Sequence, residues 1–242
     1  MLSTFGLGPL RHHWPGVCQV CGRWPSQALC AACRAQCGPA RQRCPTCARP
    51  LHGTQGRCGA CLSERQPPPL EQCLAAVDYG YPWDTLIARF KFRGEHALAH
   101  TLASVMVEHQ PVGADWRHCT WLVPIPITPE RLAQRGYNQA WELAKALRQQ
   151  LGTGCPPGLP GALMRLGHAP DQHNLPAEQR IKNLKGAFMV PPDQAPCLQG
   201  AHVLLVDDVS TTGTTLRTAA QALRAAGVAR VSAWVLAKTP PD

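Results

Sequence analysis

Residues 207–215 read DDVSTTGTT: two adjacent carboxylates, then Ser210, Thr211, Thr212, Thr214 and Thr215 around Gly213. They follow the apolar run VLLV and precede TLRTAAQALRAAG, which has helical spacing. A strand that turns into a helix this way leaves free backbone N–H groups, and the positive end of the helix dipole, at the strand's carboxyl end. That is a place where phosphate binds well. Gly213 lets the backbone come close and the hydroxyls add donors. Asp207 and Asp208 are ill suited to face a phosphate. They can accept hydrogen bonds from two vicinal hydroxyls or hold the shell of a magnesium ion. A 5-phosphoribosyl group presents a phosphate and a diol at about that separation. No G-x-x-x-x-G-K-[ST] occurs, and no G-x-G-x-x-G follows a strand, so other nucleotide cradles fit less well. The plain alternative is a Thr-capped turn with two solvated acids.

A second group with chemistry in it is the cysteines. Nine of the 13 fall between residues 18 and 61. Cys18, Cys21, Cys30 and Cys33 form two C-x₂-C pairs eight residues apart, and Cys44, Cys47, Cys58 and Cys61 form two more, ten apart. A C-x₂-C turn aims two thiolates at one ion, and two such turns close a tetrahedral site. Tandem zinc ribbons, two structural Zn²⁺ sites in all, are therefore expected. A redox C-x-x-C normally stands alone beside an α/β unit. Spacing alone leaves open an iron–sulfur cluster, an interleaved pairing of the turns, and His52 in place of a thiolate. Cys37 is left over. Cys73, Cys119, Cys155 and Cys197 are scattered and read as ordinary core or loop residues.

Two parts must position these groups. The cysteine-rich head runs to residue 69 and ends in the proline linker RQPPPLEQ (65–72), and a larger domain spans 70–242. In that domain CLAAVDYGY suits a strand, while WDTLIARFKF and EHALAHTLASVMVEH suit helices, the second with Leu98, Leu102, Val105 and Met106 on one face. WLVPIPI (121–127) is a strand with an irregular end. TPERLAQRGYNQAWELAKALRQQLG is expected to run as one helix from a Thr128 cap and Pro129 to a stop at Gly152. Residues 153–200 have no sustained period and suit a long lid-like loop. HVLLVDD, the helix after it and RVSAWVLA make a strand–helix–strand crossover, so the domain should be an α/β parallel sheet with helices on both faces. Ligands in such sheets collect at the strands' carboxyl ends.

The charge is uneven: residues 1–70 hold eight Arg, no Lys and one acid, a net +7, and the remainder nets only +2. An Arg-only basic head favours bidentate phosphate contacts and is compatible with single-stranded DNA, with Trp14 and Trp24 available for stacking. No apolar run approaches the roughly 20 residues of a membrane span, and no secretory leader is evident. A cytoplasmic location is the expectation.

The 203–215 stretch resembles the ribose-phosphate signature of the type I phosphoribosyltransferases, which hold phosphoribosyl pyrophosphate (PRPP). Joined to the paired-cysteine head, it makes almost the whole chain similar to the ComF/GntX family of competence-associated proteins. The likeness includes FKFRGE (90–95), VPIPITPERLAQRGYNQA (123–140) and QHNLPAEQRIKNLKGAF (172–188), where Gln172, Leu175, Arg180, Asn183, Ala187 and Phe188 keep the family spacing. The resemblance implies a type I phosphoribosyltransferase-like fold with a small N-terminal zinc-ribbon domain. It also implies PRPP or a similar ribose 5-phosphate ligand carried with Mg²⁺, and a role in DNA uptake or the use of DNA as nutrient. The partners it suggests are single-stranded DNA and a helicase-like competence ATPase. An active transferase of nucleobase salvage is the alternative, in which a nitrogen nucleophile displaces pyrophosphate from ribose C1. Arg135, Arg180 and Lys182 are then the candidates for neutralising the leaving group, with Arg131, Asn138 and Lys185 nearby and Lys91 a weaker prospect. No catalytic base stands out, and His168 and His173 are plain loop histidines on this reading.

Overall fold

The structure is a computed structural model, and it describes residues 16–37, 41–51, 56–64, 66–110, 115–166 and 187–240. Its centre is a four-stranded, all-parallel sheet in the order β1–β6–β5–β2, formed by β1 (Gln72–Asp78), β2 (Trp121–Pro124), β5 (His202–Ser210) and β6 (Arg230–Lys238). The two central strands are buried almost throughout, as their continuous apolar runs require when both faces are covered.

One face carries α3 (Trp83–Phe92), α4 (Leu98–Glu108) and α6 (Gln139–Leu151). There Leu74, Leu204, Val206 and Trp234 pack with Leu86, Leu102, Met106, Leu143 and the stacked ring of Trp116. The other face carries α8 (Thr214–Ala225) and a short antiparallel pair of strands, β3 (Met164–Arg165) and β4 (Phe188–Met189), over Val203, Leu205, Val231 and Val235. Helix α7 (Ala195–Leu198) leads into β5. The α/β parallel architecture with helices on both faces is the one expected.

Two local expectations are corrected. The helix after β2 is not continuous: α5 (Pro129–Arg135) stops at Gly136, whose φ of 80° ends the helix in the left-handed conformation, and Asn138 caps a separate α6 by accepting from the Ala140 N–H at 2.9 Å. The periodicity ran through this break because apolar positions on both sides fall in phase. The strand is also shorter than 121–127, since regular pairing with β5 ends at Pro124, and one further bond, from Ile125 N–H to Val206 O at 2.9 Å, closes it.

The head lies against both faces at the β1 edge. Its first part, with α1 (Ala31–Cys37), joins the α3–α4 core through Cys18, Leu29, Cys30 and Cys33, and Arg34 pairs with Glu108 at 2.8 Å. Its second part, with α2 (Gly59–Leu62), puts Ala48 into the opposite core. It also covers part of the open strand edge, where Cys73 N–H donates to Pro45 O at 2.7 Å. Glu64 reaches Arg217 of α8 at 2.6 Å.

Candidate functional site

The carboxyl end of β5 carries both acids and the hydroxyl turn. Side chains alternate across a strand, so Asp207 and Asp208 leave β5 toward opposite faces. Both are buried. Asp208 Oδ1 accepts from the Val209 N–H at 2.8 Å, and its Oδ2 meets Lys91 Nζ, from the last turn of α3, at 2.8 Å. Asp207 Oδ1 accepts from the Asp208 N–H at 2.9 Å. Burial and the neighbouring Asp208 charge push the Asp207 carboxyl well above the usual range, and Lys91 offsets only part of this.

Beyond Ser210 the chain turns through Thr211 and Thr212 into α8. Gly213 stands at the helix N-cap with φ 85°, and a Cβ there would meet only Ser210 Oγ, at 3.9 Å. Glycine is therefore needed for the left-handed backbone rather than for room. The first turn of α8 has no acidic residue and no side-chain cap on Gly213. The Thr212 and Thr214 hydroxyls bond each other at 2.8 Å, and Thr218 Oγ1 donates back to Thr214 O at 2.9 Å, which fixes the turn. What remains is a cradle of about 30 Å³ lined by Asp207, Ser210, Thr211, Gly213, Thr214 and Thr215. Ser210 Oγ is buried with no hydrogen-bond partner among the described residues. The Thr214 N–H donates to Thr212 Oγ1 at 3.3 Å, and the N–H groups after it and a spare buried hydroxyl suit a phosphate.

One cation sits on the Asp207 side. Arg165 of β3 stacks on Phe188 at 5.3 Å, and its buried Nε has no partner among the described residues. Burial lowers its affinity for a proton, Arg131 lowers it further, and Asp207 partly restores it. Neither Arg131 nor Arg165 makes an ion pair with a described acid. On the Asp208 side the α5–α6 junction is locked to α3. The buried Tyr137 hydroxyl donates to Phe90 O, while Arg135 stacks over Phe92 at 5.2 Å and donates to Gln139 Oε1 at 2.5 Å.

The two cysteine groups are separate and sequential: Cys18, Cys21, Cys30 and Cys33 form one, and Cys44, Cys47, Cys58 and Cys61 the other, with all four Sγ atoms of each within 4.8 Å of one another. The pairing left open by spacing is therefore consecutive. Cys21 and Cys30 Sγ are 3.7 Å apart, Cys47 and Cys58 3.6 Å. A tetrahedron with ~2.3 Å zinc–sulfur bonds has edges of roughly 3.8 Å, so both quartets can hold such an ion. The N–H groups of Cys30 and Cys33 point at Cys18 and Cys30 Sγ, each at 3.4 Å, and favour thiolate. Burial raises the Cys18 thiol, but the N–H groups of Cys21, Cys30 and Val20 outweigh it and bring it down to about 6. Of the scattered cysteines, Cys73, Cys119 and Cys155 are buried and Cys197 is exposed.

A description of the phosphoribosyl transferase domain matches residues 141–242. Over 233 residues the chain is 32% identical to the DNA utilization protein YhgH of Salmonella typhi, covering 94% of this chain and 92% of that one. It is 33% identical to competence protein F of Haemophilus influenzae over 215 residues (87% and 90%), and 29% identical to competence protein ComFC of Bacillus subtilis over 220 residues (89% and 86%). The chain belongs to the ComF family.

In this ComF-family chain Asp207, Ser210, Thr211, Gly213, Thr214 and Thr215 line one cradle, Asp208 leaves β5 on the other face beside Lys91, and Arg135 sits at the α5–α6 junction over Phe92. Arg180 and Lys182, with Lys185, lie outside the described residues, as do His52 and His168. Three residues gain weight that sequence reasoning did not give them. Lys91, rated the weakest basic candidate, touches Asp208. Arg165 was not singled out at all. Lys238, the last residue of β6 and level with Ser210, is buried and donates to Ser210 O at 3.3 Å and to Thr211 O, tying the loop to β6. Burial lowers its proton affinity. A single lysine closing the apolar strand VSAWVLA was the available signal. No helix among the described residues is long and apolar enough to cross a membrane.

Proposed function

We propose that this protein binds PRPP or a similar ribose 5-phosphate at the carboxyl end of β5, and that it serves as an accessory factor in the uptake or use of DNA. The observation that carries the ligand reading is the cradle itself: an uncapped helix N-terminus opened by Gly213, beside two buried carboxylates. Phosphate occupies the N–H groups and hydroxyls of 210–215, and the ribose diol faces the acids. Arg131 and Arg165, unpaired among the described residues, receive the pyrophosphate end together with Arg135, and Arg180 and Lys182 are assigned to the same end. The relatives' names, DNA utilization protein and competence protein, support the biological role. The +7 head supports contact with a polyanion such as single-stranded DNA, to be tested as salt-dependent binding weakened when the exposed Arg23 and Arg57 are replaced by Gln. Zinc in both cysteine quartets and the division at residues 69 and 70 belong to the same proposal.

Calorimetric titration of PRPP with Mg²⁺ into the wild type and into Asp207→Asn/Asp208→Asn tests the ligand. Saturable binding in the first and its loss in the second is expected. Equal binding by both proteins removes the acids from the site. A transferase activity is the second reading, favoured by the unpaired Arg131 and Arg165, which suit a departing anion. A nitrogen nucleophile would bond to ribose C1 as the C1–O bond breaks and pyrophosphate leaves with its electron pair. Base-dependent pyrophosphate release distinguishes turnover from binding alone.

A further inference from the structure

Adjacent buried carboxylates beside a phosphate cradle look like ligands for a divalent cation, and the chemistry of 207–208 allowed that reading. The surroundings do not suit it. The Asp208 side chain is 3% exposed, and its Oδ2 is already met at 2.8 Å by Lys91 Nζ, on a side chain that is 20% exposed and reaches in from the open end of the sheet. Nor is Lys91 a loose surface residue. The carbonyl before it, on Phe90, accepts from the buried Tyr137 hydroxyl, and Phe92 after it lies under the Arg135 guanidinium. The last turn of α3 is thus pinned on both sides of Lys91, which holds the ammonium at the acid pair.

We propose that Lys91 is the built-in counter-ion of Asp207 and Asp208, so that the acid pair is a metal-free receptor for a vicinal diol rather than a magnesium site. A divalent cation here would have to expel a pinned ammonium from a buried carboxylate, which is unfavourable in a poorly solvated site. The ammonium is paired with Asp208 Oδ2 by charge and closeness, without a directed hydrogen bond, and its N–H donors are therefore available to the ligand's sugar oxygens from the α3 side. Lys91 is a positioning residue. It holds the Asp208 carboxyl in place, and it makes the metal requirement of binding a property of the ligand's pyrophosphate, not of the protein. The diol part of this inference rests on the ribose-phosphate reading, whereas the metal part does not.

The test uses the full zinc-loaded chain and Mn²⁺ as a paramagnetic probe, read by electron paramagnetic resonance with no sugar present. The wild type should show no Mn²⁺ site that Asp208→Asn removes. Lys91→Met should gain one, absent again in Lys91→Met/Asp208→Asn, and Lys91→Arg should behave as the wild type. A wild-type Mn²⁺ site that depends on Asp208, or no gain in a folded Lys91→Met, overturns the proposal. Should Lys91→Met fail to fold, the wild type against Asp208→Asn still decides. A second arm titrates ribose 5-phosphate without divalent metal. Lys91→Met should lose at least tenfold in affinity and recover it when Mg²⁺ is added, and an unchanged affinity counts against Lys91. If the wild type binds no ribose 5-phosphate, the ligand reading fails while the Mn²⁺ result stands on its own.

Discussion

In the head, four side chains of one kind meet within 4.8 Å in each quartet, and every one is announced by a C-x₂-C spacing. At the end of β5 the surroundings come from elsewhere in the chain: Lys91 on α3 meets Asp208, and Arg165 on β3, unpaired among the described residues, lies on the Asp207 face. One region gathers thiols close in sequence into quartets that can hold an ion, the other is ordered by a sheet that gathers residues far apart in it. Metal loss should therefore act through folding, and changes at the sheet end through binding, a contrast that can be broken by experiment.

The largest effect is expected in the head. Cys30→Ser should remove one of two metal ions per chain, measured by metal content. Closed thiolate sites contribute on the order of 10 kcal/mol to small metal-bound folds, so a fall in Tm on the order of 20–40 °C is expected. Because Cys30 shares a core with α3 and α4, while Cys44, Cys58 and Cys61 cluster apart, Cys58→Ser should lower Tm less. Equal losses in the two variants would show that the first quartet is not part of the sheet domain's core.

Next is Lys238. Its ammonium bridges Ser210 O and Thr211 O from a buried position, so Lys238→Met leaves two carbonyls without their charged donor. Hydrogen bonds to charged groups contribute about 1.5–3 kcal/mol, so PRPP affinity should fall roughly 10–100-fold by calorimetry. The fold should survive, because methionine fills much the same space. An unchanged affinity would mean the loop is held by its own threonines. Gly213→Ala should cost less. The left-handed region costs a residue with a Cβ roughly 1–2 kcal/mol, and no atom stands in the way of the methyl group. About a tenfold loss in phosphate affinity is expected, and a loss beyond a hundredfold would point to direct steric exclusion of the ligand.

What could be read from the sequence follows the same division. Apolar VLLV and WVLA runs, the Thr/Gly turn and the cysteine spacing are local patterns, and each produced the element expected of it. The break at Gly136 was hidden because helical phase continues across it, although Gly136 and Asn138 are a helix stop and a helix start placed side by side. Lys91, Arg165 and Lys238 could not be ranked, since their meaning comes from register and burial. Lys238 matters because it lies level with Ser210 in the sheet, and Lys91 because Tyr137 and Arg135 pin the helix end that bears it.

The smallest effect is the one that most sharply separates the two regions. Asp207 is buried beside Asp208, and its folded-state proton affinity is raised well above the unfolded one. Between the unfolded carboxylate pKa and the raised folded one, the native state binds more protons than the unfolded chain. Stability should therefore fall as pH rises through that window, and the carboxylate is a cost near neutrality. Asp207→Asn relieves it: Tm should rise at pH 7.5 by a few degrees, at about 2–4 °C for each kcal/mol, with the gain shrinking as pH approaches 4. The same variant should weaken PRPP binding, since an amide presents one acceptor where the carboxylate presents two. Higher stability with poorer binding is the signature of a residue kept for its ligand. The quartet cysteines should show no such trade, because stability and metal are lost there together. If Asp207→Asn instead lowers Tm at pH 7.5, the acid is a structural partner of the turn, and the contrast between the two regions fails at its most direct point.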